Sequence, residues 1–408
     1  MRVGFVIDMD YPHVGEVRPR KLAQSLHKAG HESVFLCRNS RQKLAKEQLE
    51  YGTVRRFDWF LNSGFYGLLS APAPLSPIWA LWIRQMAREE RLHVLVTSNI
   101  RLAIPAIAAA RSLGIPVVVD LQENNAEVVR LRPKTKLVHY LSRNGHLVGL
   151  LESLCVSWAD HTWVVVEERI GALPVGLRSP EKVSVVCHTP DESEINVGVK
   201  SYNVRKTDFS LAYVGLFAPG HGSVELLMRS LPIMLRQDPN VRIAVAGGRQ
   251  LEPLATELGI LDHVDFAGLI PADEVCLWLR EKEVGVIAYD PSKFTDTTVS
   301  NKLFYYMAVG IPVLATDMAP TRRIVEEVGC GRIIPRNATP EDVARIVLDL
   351  KNSPEECAAM GQRGRQAILD KYNWERDFRH ALDTLSALVG GPAAATATAA
   401  TPAGTRSR

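Results

Sequence analysis

The 408-residue sequence has few cysteines, little net charge and no long apolar run. A net charge of +3 is too small to indicate a nucleic-acid partner. No window reaches the ~18 uncharged apolar residues that a membrane-spanning helix needs. The amino terminus lacks the apolar core and cleavage site of a signal peptide, so a cytoplasmic protein is predicted. The six cysteines form no C-x-x-C pair and no cluster with histidines at metal spacing, so we expect reduced thiols and no metal site. These cysteines are Cys37, Cys155, Cys187, Cys276, Cys330 and Cys357.

Signatures of several common enzyme classes are also missing. No G-x-G-x-x-G follows the first apolar run, which argues against a nicotinamide or flavin oxidoreductase. Neither a Walker motif nor G-x-S-x-G is present, so kinase and hydrolase functions have no support. We therefore expect no bound cofactor.

Short apolar runs rich in Val and Ile alternate with helical patterns along the chain. This alternation is typical of an α/β fold whose parallel sheet is covered on both faces. The first half carries such runs from Val3–Ile7 to Val183–Val186, and the pattern begins again at Ser210–Val214. Between the halves, Thr189–Thr207 is polar and has neither period. The sequence thus predicts two doubly wound, Rossmann-like domains that face each other across a cleft.

The boundaries follow from the same pattern. Residues 1–190 are predicted to form the first domain, 191–207 the linker and 208–371 the second domain. Residues 372–389 are expected to form a terminal helix that packs back on the first domain. Residues 390–408, rich in Ala, Thr and Pro, are predicted to be disordered.

The segment Ser300–Thr316, SNKLFYYMAVGIPVLAT, places a helix start directly before a buried strand. Ser300 and Asn301 are N-cap residue types, and Gly310 supplies a C-terminal stop. The amino terminus of such a helix presents unpaired N–H groups and a positive dipole end to the cleft. The segment therefore predicts an anion site.

This segment is similar to NKLFEYMAxGxPVVA, a nucleotide-gripping motif of family-4-type retaining glycosyltransferases, the group 1 glycosyltransferases. The chain up to about Leu388 resembles these two-domain enzymes, whose fold is called GT-B. The resembling segments in chain order are GFVIDMDYPHVGEVRPRKLAQSLHKAGHES, VVVDLQENNAE, TWVVVEE, VSVVCHTPD, AYVGLFAPGHGSVELL, IAVAGGR, FAGLIP, the Ser300 segment and KYNWERDF.

The resemblance implies transfer of a hexose-type sugar from a nucleotide diphosphate donor to an acceptor hydroxyl, with retention and without a metal. The donor would lie mainly on the second domain and a glycan or lipid-linked acceptor on the first. The implied catalytic residues are Gln122, His221 and Lys302, and the acceptor-side residues are Arg18 and Asn124. The implied donor-binding residues are Gly15, Gly220, Arg249, Leu269, Thr298, Ser300, Asn301 and Tyr305.

Three of these positions depart from the family pattern. Gln122 stands where the family has a His, and it can bind a sugar hydroxyl but carries no charge. His221 replaces a loop Arg or Lys and is a weaker, pH-dependent cation. Tyr305 replaces the Glu that takes both ribose hydroxyls, or it is simply a packing aromatic. Lys302, Arg249 and the N–H groups near Thr298 are candidate compensators, although Lys302 could also be a solvated first-turn lysine.

The departures leave three functions open. The first is a hexosyltransferase in polysaccharide, glycolipid or other glycoconjugate biosynthesis. The second is a non-catalytic GT-B protein that binds a glycan, a nucleotide or a partner transferase. The third is a sugar-nucleotide epimerase of the same architecture, which would need dedicated acid and base residues in the cleft.

Two further segments suggest weak association with the inner face of a membrane. One is the aromatic stretch from Trp59 to Trp82, and the other is the basic stretch from Arg130 to Arg143. A core helix for the first and a solvated helix for the second are the alternatives.

Overall fold

The computed structural model describes residues 1–12, 17–58, 74–98, 100–132, 143–201, 208–215, 222–271 and 274–390. These residues form two α/β domains, each built on its own sheet. Within them no helix is both long enough and apolar enough to cross a membrane. The two-domain α/β prediction is confirmed.

The first sheet has the strand order β3-β4-β2-β1-β5-β6-β7-β8, and β3 alone pairs antiparallel with its neighbour. Its strands are β1 (Arg2–Asp10), β2 (Glu32–Arg38), β3 (Lys46–Leu49), β4 (Gly52–Phe57), β5 (Val94–Thr97), β6 (Val117–Leu121), β7 (His161–Val164) and β8 (Val183–Val185). The helices of this half are α1 (Val17–Lys28), α2 (Pro77–Glu89), α3 (Ile100–Leu113), α4 (Asn125–Leu131), α5 (Gly145–Trp158) and α6 (Glu167–Gly171).

Side chains of the central strands alternate between two cores, as the period of a strand requires. Val34 and Leu36 of β2 join a core beneath α2, α3 and α5, whereas Phe35 and Cys37 face a core beneath α1. Since both faces are covered, the carboxyl ends of the parallel strands are the accessible edge.

The second sheet has the order β11-β10-β9-β12-β13-β14, and all its pairings are parallel. Its strands are β9 (Phe209–Gly215), β10 (Val241–Gly247), β11 (Val264–Gly268), β12 (Val284–Ile287), β13 (Val313–Thr316) and β14 (Gly331–Ile334). A short helix α7 (Glu192–Ile195) precedes it, and the later helices are α8 (Gly222–Leu235), α9 (Glu252–Glu257), α10 (Val275–Leu279), α11 (Asn301–Val309), α12 (Ala319–Val328), α13 (Pro340–Lys351), α14 (Pro354–Asp370) and α15 (Trp374–Gly390).

Helix α15 returns to the first domain. Trp374, Ala381 and Leu385 are buried in the same core as β1 and α1. The Trp374 indole N–H donates to Ser25 Oγ at 2.8 Å, and its backbone N–H donates to Pro190 O at 2.9 Å. The chain therefore passes between the domains at two places that lie side by side.

Two elements differ from the sequence prediction. The β3–β4 hairpin was not predicted, because Lys46–Leu49 alternates between exposed and partly buried residues without an apolar run. The predicted linker contains α7, which a capping box between Asp191 and Glu194 starts. Trp79 is fully buried in the first-domain core and Trp82 packs against it, which favours the core-helix alternative for these two aromatics.

Several sequence predictions fall on residues outside the described ranges. These are Gly15, Gly220, His221, the aromatics from Trp59 to Tyr66, Lys134, Lys136 and the tail from Gly391 onward. All six cysteines lie within the described ranges, and each is buried and free.

Candidate active site

A cavity of about 490 Å³ lies in the cleft between the two domains. The first domain contributes one wall of this cavity. The second domain contributes the other wall, which includes the loop before α11 and the first turn of that helix. The lining residues are Arg18, Gln122, Glu123, Val165, His188, Val214, Val275, Tyr289, Phe294, Thr295, Thr298–Lys302, Tyr305 and Met318. The cavity thus brings together most of the described residues that the sequence assigns to a donor site.

Helix α11 starts at the cavity as the sequence predicts. Ser300 is the N-cap but makes no capping hydrogen bond, and Gly310 ends the helix in the left-handed region at φ +73°. The Asn301 amide donates to Nδ1 of His188 at 3.2 Å across the cleft. An uncapped first turn that faces a cavity is a site for an anion, since its amides and dipole favour negative charge.

Lys302 brings a cation to the end of the first strand of the second domain. Its Nζ donates to the Tyr289 hydroxyl at 2.5 Å and lies over the Tyr213 ring, 5.1 Å from the centroid. A Cβ atom at Gly215, the last residue of β9, would be only 2.7 Å from Nζ. Because Gly215 has φ +137° and no side chain, the ammonium can lie directly against the backbone where β9 ends.

Tyr305 lines the cavity, but its hydroxyl is engaged elsewhere. The hydroxyl donates to Glu194 Oε1 of α7 at 3.0 Å, and the other oxygen of Glu194 accepts from Lys21 Nζ at 2.7 Å. Burial, together with the charge of Glu194, raises the pKa of Tyr305 well above its usual range, so the phenol stays a donor. While the Glu194 bond is intact, this hydroxyl therefore cannot donate to ribose, and its oxygen can only accept.

Gln122 is anchored to a buried ion pair. Its amide donates to Asp120 at 3.3 Å, and Asp120 accepts two bonds from Arg18, at 2.7 and 2.9 Å. Arg18 also donates to the backbone oxygens of Val186 and Cys187. Burial alone would lower the Arg18 pKa, but the Asp120 charge and hydrogen bonds raise it. The guanidinium is therefore charged, and its nitrogens are engaged in these hydrogen bonds. Arg18 thus positions the cavity wall.

His188 was not singled out by the sequence analysis. Burial and the nearby charges of Lys21 and Arg18 lower its pKa to about 3, so the ring is neutral at physiological pH. With Nδ1 accepting from Asn301, the proton is on Nε2, which has no hydrogen-bond partner among the described residues. Its position directly after β8, at the carboxyl edge of the sheet, is the signal that could have identified it.

Three predicted site residues lie outside this cavity. Asn124 lines a neighbouring cavity, and its amide donates to Thr297 Oγ1 at 3.0 Å across the interdomain cleft. Arg249 is exposed on α9's side of the second domain, where it pairs with Glu252 at 2.8 Å and lies over the Phe266 ring. Leu269 is 78% exposed. The roles assigned to these three residues stay predictions.

No group of three or more His, Cys, Asp or Glu side chains among the described residues is arranged to hold a metal ion. Among the described residues that line the cavity, Lys302 and the start of α11 supply positive charge next to the open space.

Two family models match the chain. Residues 15–187 match the glycosyl transferase 4-like domain, and residues 208–353 match the model described as glycosyl transferases group 1. Together they cover most of both domains.

Named relatives share parts of the chain. A GDP-mannose-dependent alpha-(1-6)-phosphatidylinositol monomannoside mannosyltransferase of Mycolicibacterium smegmatis is 28% identical over 37% of this chain and 41% of its own length. An alpha-D-kanosaminyltransferase of Streptomyces kanamyceticus is 22% identical over 76% of this chain and 81% of its own. The chain thus spans less than half of the first relative.

Solved structures share the fold over nearly the whole chain. A sucrose-phosphate synthase from Thermosynechococcus elongatus superposes with a TM-score of 0.72 at 14% identity, covering 96% of this chain and 99% of its own. Anabaena Alr3699/HepE in complex with UDP superposes with a TM-score of 0.70 at 16% identity, covering 95% and 100%. The two family models match the two domains in the expected order, and the solved structures share the two-domain fold. The chain therefore belongs to the group 1, family-4-type glycosyltransferases and has the GT-B fold.

Proposed function

We propose that the protein transfers a hexose-type sugar from a nucleoside diphosphate donor to an acceptor hydroxyl with retention of configuration. The observation that carries the proposal is the position of Lys302 beside Gly215, in the same cavity as the uncapped start of α11. A departing diphosphate gains negative charge as the glycosidic bond breaks, so a fixed cation and a helix amino terminus stabilise the transition state more than the ground state.

The residues suit a transfer that needs no strong protein base. The bond between the sugar C1 and the diphosphate oxygen breaks, a new bond from C1 to the acceptor oxygen forms on the same face, and the acceptor proton passes to the departing phosphate oxygen. Lys302 and the α11 amides would neutralise the diphosphate, and Gln122 would orient a sugar hydroxyl. This arrangement makes the proposed reaction independent of a metal ion.

Two similar proteins support a nucleoside diphosphate as the donor's leaving group. The mycobacterial relative is named as dependent on GDP-mannose, and the Anabaena protein was solved with UDP and with UDP-glucose. Both ligands share the diphosphate that Lys302 and α11 would bind.

The acceptor in the proposed reaction is a glycan or a lipid-linked glycan, which places the protein in polysaccharide or other glycoconjugate biosynthesis. The exposed Leu131 lies between Arg130 and Arg132 at the end of α4. An apolar side chain flanked by arginines suits weak contact with an anionic membrane surface, where a lipid-linked acceptor would be met.

A non-catalytic nucleotide or glycan binder is the second candidate. The hydrogen bond from Tyr305 to Glu194 favours this candidate. Tyr305 stands at the position that binds ribose in the family, but its hydroxyl donates to the Glu194 carboxylate instead. Such a binder would hold a nucleotide or a glycan in the cleft but would not transfer a sugar.

Calorimetric titration of the full chain with UDP, GDP, ADP and their sugars tests the proposal. Lys302→Met should weaken binding of the preferred nucleotide about tenfold, the effect of losing one charge-assisted bond. Arg345→Met, which removes an exposed cation of α13 outside the cavity, should change it less than twofold. Equal losses in both variants, or no binding by the wild type, would contradict the donor site.

Turnover separates the two candidates. NMR of the bound sugar nucleotide should show slow release of free sugar with retained configuration at C1, and Lys302→Met should slow it. Tight binding without release of sugar in the presence or absence of acceptors would instead identify the binder.

A further inference from the structure

Two helices of different domains begin beside the donor cavity. Helix α6 starts at Glu167, shortly after β7, and α12 starts at Ala319, shortly after β13. Val165, just before α6, and Met318, just before α12, both line the cavity. Because the two strands end at the carboxyl edges of their sheets, the two helices start on opposite walls of the cleft. A contact between α6 and α12 therefore joins these two walls.

An ion pair makes this contact. Nε of Arg323 in α12 donates to Glu168 Oε1 of α6 at 2.6 Å, and a second guanidinium nitrogen, Nη2, donates to Oε2 at 3.2 Å. Paired bonds of this kind fix both the distance and the orientation of the two groups. The hydrogen bonds of Asn301 and Asn124 across the cleft, in contrast, are single bonds between neutral groups. Arg323 and Glu168 thus form a charged contact between the domains.

Two more carboxylates lie close to the Arg323 guanidinium. Its Nη1 is 4.0 Å from Glu167 of α6 and 3.8 Å from Glu327, one turn further along α12. The acids of the two helices are therefore within about 8 Å of each other, which is the Debye length at physiological ionic strength. Without the positive charge of Arg323, like charges would face each other across the cleft. This arginine thus decides whether the two helices attract or repel each other.

The interdomain ion pair is accessible to salt. The side chains of Arg323 and Glu168 are 33% and 19% exposed, whereas those of the buried pair Arg18–Asp120 are each 1% exposed. Dissolved ions screen a partly exposed pair much more than a buried one. The attraction of a partly exposed pair is modest, so exchange of the Arg323 charge, which adds repulsion, should have a larger effect than its neutralisation.

We propose that Arg323 is a positioning residue whose ion pair with Glu168 holds the cleft closed over the donor. Arg323 does not line the donor cavity. It acts through the position of the second-domain wall, which carries Lys302, relative to the first-domain wall, which carries Gln122. The affinity for the donor then depends on ionic strength through closure as well as through direct screening of the diphosphate. The inference rests on the proposed function, because it takes this cavity as the donor site.

Pulsed electron paramagnetic resonance on the full chain measures closure without any ligand. Spin labels are attached at Ala108→Cys of α3 and Thr256→Cys of α9, which are exposed positions in the two domains, while the six native cysteines are buried. At about 0.1 M NaCl, where the Debye length is about 10 Å, the wild type should give one main distance. Arg323→Glu should give a broader distribution with a second distance, because repulsion then opens the cleft.

Two further variants make the distance measurement specific. The double variant Glu168→Arg, Arg323→Glu exchanges the two charges and should return the distribution toward that of the wild type, since the pair re-forms in reverse. Arg345→Glu is the matched control, because Arg345 is an exposed arginine of α13 that pairs with Asp342 of its own helix. It should leave the distance unchanged. Arg323→Met supplies the neutral form of the test if the charge-reversed protein does not fold.

Calorimetric titration of the unlabelled proteins with UDP and GDP gives the second readout. Arg323→Glu should bind the preferred nucleotide about five- to tenfold more weakly than the wild type at about 0.1 M NaCl. This ratio should fall below about twofold near 1 M NaCl, where the Debye length is about 3 Å. Because both proteins are compared at the same salt concentration, direct screening of the diphosphate cancels. A merely structural role of Arg323 would give a ratio that salt does not change.

The two readouts keep this inference apart from the proposed function. Equal distance distributions in the wild type and Arg323→Glu would overturn the role of Arg323, and so would a double variant no closer to the wild type than Arg323→Glu. A ratio of affinities that is the same at both salt concentrations would overturn it as well. Wild-type protein that binds no nucleotide would overturn the transferase, and the distances would still decide whether the ion pair closes the cleft.

Discussion

The Tyr305 hydroxyl donates to Glu194 at 3.0 Å and so ties the donor-site helix α11 to the interdomain segment. The second oxygen of Glu194 accepts from Lys21 of α1, which also donates to Thr189 O and lies 5.3 Å from the Trp374 ring centroid. Tyr305, at the position that contacts the nucleotide in the family, therefore contributes to the contact between the domains.

Replacing Tyr305 by Phe should destabilise the protein by about 1 kcal/mol, the usual net value of one hydrogen bond. Nucleotide affinity should change less than threefold, because the ring that lines the cavity is kept. Denaturant unfolding and calorimetry measure the two quantities. A Phe variant of normal stability with a tenfold weaker nucleotide affinity would mean that the hydroxyl contacts the donor.

Gly215→Ala should weaken nucleotide binding about five- to tenfold, since the new Cβ would displace Lys302 Nζ from the end of β9. Gly259→Ala is the matched control, because Gly259 also has a positive φ, +66°, but nothing lies within 4 Å of its added Cβ. Gly259→Ala should lose about 1 kcal/mol of stability from backbone strain. Gly215→Ala should lose more, because φ +137° lies outside the left-handed helical region. Equal nucleotide affinities in the two variants would contradict the role given to Lys302.

Arg18→Met should lower the free energy of unfolding by about 3–5 kcal/mol, because it leaves the Asp120 carboxylate buried without its partner. The double variant Arg18→Met, Asp120→Asn should regain part of this loss, as no charge is then buried. Urea unfolding of both variants measures the difference. A double variant no more stable than the single one would show that the loss comes mainly from the Arg18 bonds to the Val186 and Cys187 oxygens and not from the unpaired Asp120 charge.

His188 should make the protein less stable as the pH falls below about 6.5. Its folded pKa, about 3, lies below the unfolded value, so the unfolded state binds the proton first and is favoured between these two pH values. The contribution is fully present above pH 6.5 and decreases by about 1.4 kcal/mol per pH unit below it.

The matched variant for this prediction is His188→Gln, which does not titrate. The stability of wild type relative to the variant should fall between pH 6.5 and 4.5. A difference that does not change with pH would show that the wild-type imidazole is accessible to protons in the folded state.

The sequence predicts the elements whose determinants are local. Helix α11 follows from its cap residues and from Gly310, and the buried strands follow from their apolar runs. The β3 strand escapes such reasoning, because its side chains alternate around a half-exposed edge rather than forming an apolar run. Local signals are thus sufficient for the two-domain fold.

The site depends on contacts that no local pattern encodes. Tyr305 and Glu194 are 111 residues apart, and Asn124 and Thr297 are 173 apart. The family resemblance assigned Arg249 and Leu269 to the donor site, and this assignment stays a prediction, since both side chains are largely exposed and neither lines the cavity. Conversely, His188 lies in the cavity although the sequence analysis gave no role to this residue of the VSVVCHTPD segment.

The paired crossings at Pro190 and Trp374 also limit how the domains can move. A single flexible connection would let one domain swing and twist in every direction, whereas two adjacent segments joined by a 2.9 Å hydrogen bond act as one hinge. Rotation about this hinge is the remaining low-energy motion of the two domains. Opening and closing of the cleft would then follow one reproducible arc, which returns Lys302 and Gln122 to the same relative position in each cycle.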